Sequence, residues 1–169
     1  KPKELEAQFK KAHSMLSQAV ITVADEKGVG LKKTFATFNG TNYANASEIA
    51  NAIYNQMKVT GTCTYTDKVK TYNKASDNPY VDLGTVKPSK LLANGMCMQV
   101  NVNGHMINIT VDINGAKKRP NALGQDIFYF YIDDNDTLQP KRMSKLYTDE
   151  EVEELKKGDA SGLENWSSQ

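Results

Sequence analysis

The chain has 169 residues, a formal net charge of +1 from 21 basic and 20 acidic side chains, and 39% hydrophobic residues. That length holds one domain with a real core. The near-balanced charge supplies no basic stripe for nucleic acid, and no apolar run is long enough to cross a bilayer. The start at Lys1, without Met, reads as processing or trimming, and no signal-peptide pattern follows it.

The opening segment "KPKELEAQFKKAHSMLSQAVITVADEKG" places Leu5, Phe9, Ala12, Leu16, Ala19 and Val23 at alternating steps of four and three. That spacing makes one apolar stripe on a helix. Gly28 and Gly30 should end it, with Lys27 in the last turn. The predicted helix is about 24 residues and roughly 36 Å long. A second helix is predicted over "NASEIANAIYNQM", with Ile49, Ile53 and Met57 on one face and Asn45 or Ser47 as N-cap. Residues 59–90 are rich in Thr, Asn, Asp and Pro and read as irregular.

Strands follow. "MCMQVNV" alternates through Met96, Met98, Val100 and Val102, and "HMINITVDI" through Ile107, Ile109, Val111 and Ile113. Asn103-Gly104 between them is a two-residue hairpin signal. After a loop from Asn114 to Gln125, "IFYFYI" reads as a buried strand. "DDND" turns the chain, and "TLQP" is a short last strand that Pro140 ends or leaves at an edge. Thr148 and Glu151 form a capping-box pair before an acidic helix that stops near Gly158, and Trp166 lies in the tail. Helices first and strands afterwards predict an α+β fold with an antiparallel meander.

Catalytic signatures are missing. "NGAKKRPNALG" lacks the spacing of a phosphate loop, and the basic triplet Lys117-Lys118-Arg119 reads as a solvated loop. No nucleophile motif surrounds Cys63 or Cys97, so an enzyme is not expected. With His13 and His105 the cysteines make no zinc spacing. They are either two free thiols or one disulfide. "DIN…D" and "DDND" offer oxygen ligands to calcium, but neither fits an EF-hand loop. Turn capping by Asp and Asn is the favoured reading and calcium its rival. Asn39, Asn45, Asn108, Asn135 and Asn165 begin glycosylation sequons, which carry meaning only in a glycosylating pathway.

Three stretches together resemble the soluble part of the type IV pilin and type II secretion pseudopilin superfamily. "LEAQFKKAHSMLSQAVITVADEKG" is similar to the exposed half of the long pilin helix. "EIANAIYNQMKVTGTC" is similar to the helix and cysteine that follow the stalk in many minor pilins. "VDINGAKKRPNALGQDIFYFYI" is similar to a recurring Asp-x-Asn-Gly turn, Pro-Asn, Gly-x-Asp and aromatic strand. The resemblance touches most of residues 3–138. The prepilin cleavage site and its apolar run are missing, and the region after Pro140 departs from the usual ending.

The resemblance implies residues 1–28 as the exposed half of an assembly helix and 29–169 as a single head. Within the head lie a helix and loop at 41–95, a sheet at 96–140 and a short helix and tail at 141–169. It implies a non-enzymatic filament subunit, a pilin or minor pilin, with a pseudopilin of secretion or DNA uptake as the alternative. Leu5, Phe9, Ala12 and Leu16 would carry the assembly stripe. Partners would be other pilin subunits and the inner-membrane assembly machinery, with the membrane reached through a missing N-terminal segment. The subunit would lie in the inner membrane and then in a cell-surface filament. An oxidising space favours a Cys63–Cys97 disulfide. Asp112 and Asp126 are expected to accept loop N–H groups, with calcium at Asp112, Asn114 and Asp126 as the alternative. The rival of another class is a free exported binding module, such as an adhesin head.

Overall fold

The computed structural model describes residues 2–27, 30–31, 43–66, 69–72, 80–82, 87–103, 106–140, 150 and 153. Among the described residues, the long helices α1 (Pro2–Lys27) and α2 (Tyr43–Gln56) precede eight strands. These are β1 (Val59–Thr62), β2 (Lys70–Tyr72), β3 (Tyr80–Asp82), β4 (Lys90–Leu92), β5 (Cys97–Asn103), β6 (Met106–Asp112), β7 (Ile127–Ile132) and β8 (Leu138–Pro140). A six-stranded antiparallel sheet runs β1-β4-β5-β6-β7-β8, and β2 pairs with β3 in a separate hairpin. The fold is α+β: a long N-terminal helix packed on an antiparallel sheet, as the sequence predicts.

α1 runs 26 residues and ends at Lys27. Its stripe is buried where the pattern places it: Ala12, Leu16, Ala19 and Val23 are all buried, joined by Val20. Leu5 and Phe9 are only partly buried against the same core. α2 begins at Tyr43, two residues before Asn45, so Asn45 and Ser47 lie inside it and neither is the N-cap. Ile49, Ile53 and Met57 face the core as expected. The Val100 backbone N–H donates to Tyr54 Oη at 2.7 Å, which ties α2 to β5.

The ladder register separates the two faces of the sheet. Val111 pairs with Met98 and with Phe128, and Ile109 with Val100 and with Phe130. Side chains directly opposite on an antiparallel pair share a face. These residues form the face beneath the helices, and the Phe9 ring meets Phe128 edge-on at 4.6 Å. The reverse face carries Cys97, Asp112 and Ile127 in one row and Gln99, Thr110 and Tyr129 in the next.

Two further expectations need correction. Residues 59–90 are not simply irregular: they hold β1, β2 and β3, and β4 begins at Lys90. β1 is "VTGT", exposed throughout, and its order comes from pairing with β4. No local apolar pattern marks such an edge strand. Asn103 pairs with Met106 and so belongs to β5 rather than to the turn. The turn itself lies outside the described residues, as do Gly28, the Thr148/Glu151 capping box, Gly158 and Trp166. Within the acidic segment, Glu150 and Glu153 are helical.

Candidate functional site

On the reverse face of β6, Asn108, Thr110 and Asp112 are all buried. One cover is the segment leading out of β1. Cys63 and Cys97 form a disulfide with Cα atoms 6.2 Å apart, which pins that segment to the start of β5. Ser89 Oγ donates to Gln99 Oε1 at 2.6 Å on the same face. Two residues past Cys63, Tyr65 Oη donates to Asp112 Oδ2 at 2.8 Å. A formed disulfide points to an oxidising, extracytoplasmic setting.

The second cover is the 113–126 loop, which is wired to two carboxylates. The Asn114 backbone N–H donates to Asp112 Oδ1 at 3.3 Å. Asp126 accepts from the Ala122 N–H on Oδ1 at 2.8 Å and from the Asn121 N–H on Oδ2 at 2.9 Å. Oriented as hydrogen bonding requires, the Asn114 amide donates to both acids, at 2.9 Å to Asp112 Oδ1 and 3.2 Å to Asp126 Oδ2. The structure therefore brings Asp112, Asn114 and Asp126 together, and both acids accept loop N–H groups.

The loop backbone is specialised to reach this arrangement. The Arg119–Pro120 peptide is cis, and Asn121 takes a left-handed φ of 53°. Asn is among the few non-glycine residues that tolerate this region. Gly115 has φ 85°, and a Cβ there would sit 2.8 Å from the Gly95 carbonyl oxygen. Asn121 Nδ2 donates to the Ala116 carbonyl at 3.0 Å, while its Oδ1 is buried without a partner among the described residues.

Asp112 and Asp126 are each 0% exposed. Burial, then the neighbouring Asp126 charge, pushes Asp112 up to about 7 against the pull of Tyr65 and the loop N–H groups. Burial pushes Asp126 up to about 6, opposed by the Ala122 and Asn121 N–H groups. Burial and the adjacent carboxylates push the Tyr65 phenol upward as well.

Calcium takes six to eight oxygen ligands. Here every oxygen of the two carboxylates accepts an N–H or O–H, and the Asn114 amide lies within hydrogen-bond reach of both. Among the described residues no group of three or more His, Cys, Asp or Glu could hold a metal. "DDND" is likewise turn chemistry. Asp133 Oδ1 accepts from the Asn135 N–H at 2.9 Å and the Thr137 N–H at 3.0 Å. Asp136 Oδ1 accepts from the Leu31 N–H at 2.8 Å, joining this turn to the segment after α1.

The assembly-stripe residues divide in two. Ala12 and Leu16 are enclosed by the chain's own core and present nothing to a neighbour. Leu5 and Phe9 remain partly open. Beside Leu5 lies an open groove of about 660 Å³ between Glu4, Gln8, Lys118, Arg119 and Pro120. Tyr65 and Asn121 were not legible as site residues. The available signals were a lone aromatic two residues past a cysteine and an Asn directly after Pro120. Comparisons with known protein families, curated proteins and solved structures find no match.

Proposed function

We propose that this chain is the non-enzymatic head and exposed helix of an exported filament subunit of the type IV pilin and pseudopilin class. The observation that carries this reading is the burial gradient along α1. None of residues 3–11 is fully buried, whereas Ala12, Leu16, Ala19, Val20 and Val23 are. The second half of the helix is core, and its first turns sit at the margin with Lys3, Glu4, Glu6, Lys10 and Lys11 exposed. A helix longer than its own core needs leaves a surface for like helices. Such contacts are heterologous and build open filaments. The disulfide supports an exported head.

Partners in this reading are other subunits and an inner-membrane assembly machine, with the anchor supplied by a preceding apolar half-helix. Charge reversal at Glu4, Glu6, Lys10 and Lys11 in the full-length protein tests it. Filaments should be lost while the melting temperature of the isolated head stays unchanged. Normal filaments from that variant would contradict the reading and favour a free exported binding module.

A further inference from the structure

We propose that Asn135 is an N-glycosylation site and that the sugar it carries caps the β7–β8 turn. Such a site requires an exported chain, to which the disulfide points, and is independent of the filament role. Sequons begin at Asn39, Asn45, Asn108, Asn135 and Asn165. A sequon serves as an acceptor where its asparagine lies in a surface loop.

The fold separates the sequons it describes. Asn108 is 7% exposed within β6, with ladder partners Asn101 and Tyr131 on its two sides. Once the sheet has formed, no sugar fits there. Asn45 lies inside α2, where the main chain is helical rather than looped. Asn39 and Asn165 lie outside the described residues. Asn135 is exposed, in the turn that joins β7 to β8.

That turn holds its main chain and leaves the amide open. The Asn135 N–H goes to Asp133 Oδ1, and the Asn135 carbonyl accepts from Thr137 Oγ1 at 3.5 Å. Asp136, at a left-handed φ of 58°, is anchored by the Leu31 N–H. Among the described residues the Asn135 side-chain amide has no partner. Thr137, whose hydroxyl completes the sequon, is exposed as well. An open groove of about 490 Å³ lies between these two residues and Ile21 and Ala24 of α1. It gives a first sugar room beside the turn. Ile21, 56% exposed, offers an apolar surface to the C–H face of that sugar.

The donor class is an oligosaccharide carried on a lipid pyrophosphate, delivered by a membrane oligosaccharyl transferase. Asn135 Nδ2 forms a bond to the anomeric carbon of the first sugar. The bond from that carbon to the pyrophosphate oxygen breaks, and the lipid pyrophosphate leaves with the electron pair. A base on the transferase takes the amide proton.

The test is glycopeptide mass spectrometry on the disulfide-bonded protein exported by its native host. The peptide spanning Asn135 should carry the added mass of one oligosaccharide, and fragmentation should place it on Asn135. Asn135→Gln and Thr137→Ala should each remove that mass, whereas Thr137→Ser should retain it. If a variant does not fold, the wild-type peptide decides alone. An unmodified wild-type peptide would overturn the proposal, and so would a sugar that persists in Asn135→Gln. Neither result depends on what precedes Lys1, so failure here leaves the filament reading standing.

Discussion

Cys97 and Asp112 are direct partners across the β5–β6 ladder, and the disulfide from Cys97 leads to Cys63, two residues before the Tyr65 that donates to Asp112. Covalent bond, ladder and hydrogen bond close one small circuit on the reverse face of the sheet. The disulfide thereby sets the position of the hydroxyl that covers the buried acid.

Tyr65→Phe opens that circuit at its weakest link. Asp112 Oδ2 loses its donor in a buried site. The expected cost is about 1–3 kcal/mol, read by urea denaturation. The Tyr65 bond holds Asp112 down, so its loss should move the Asp112 titration further upward. An unchanged midpoint would mean that the bond contributes nothing.

Reduction should cost more. The bridge closes a sequence separation of 34 residues, worth about 4 kcal/mol by the chain-entropy argument. Denaturation midpoints with and without reductant measure it. Alkylation of the exported, unreduced protein should label neither cysteine.

Gly115 and Gly95 form a matched pair with φ of 85° and 87°. An alanine at either position incurs the left-handed penalty of about 1–2 kcal/mol. Only at Gly115 does the new Cβ also meet a backbone oxygen, Gly95 O at 2.8 Å. Gly115→Ala should therefore destabilise clearly more than Gly95→Ala in the same thermal scan. Equal effects would remove the contact from the explanation.

The α1 stripe gives a third contrast. Leu16 is 0% exposed, and Leu16→Ala should cost about 2–5 kcal/mol. Ile21 is 56% exposed, and Ile21→Lys should stay within about 0.5 kcal/mol of the parent. Chemical denaturation of both variants checks the face assignment.

These contrasts follow how the sequence encodes the fold. α1 and β5–β7 were legible because each buries a regular stripe: Leu16 to Val23 at helical spacing, Met98 to Val111 at strand spacing. β1 and β4 were not, since "VTGT" is exposed at a sheet edge and gains order from a partner some thirty positions away. Asp112 and Asp126 were legible as turn acceptors from Asp-x-Asn-Gly and Gly-x-Asp. Their full burial was not. It depends on Tyr65, which the β1–β4 pairing and the Cys63–Cys97 bridge bring to Asp112. Periodicity reports which face points to the core and is silent on what covers the other.

The most direct measurement of the central claim is the nucleotide sequence upstream of the Lys1 codon. The filament-subunit reading predicts a short basic leader, a Gly or Ala cleavage site, and about 20 apolar residues running straight into α1. An ordinary cleavable signal peptide or a cytosolic start at that place would contradict it. α1 would then be a core helix with an exposed end, and the free exported binding module would become the better reading.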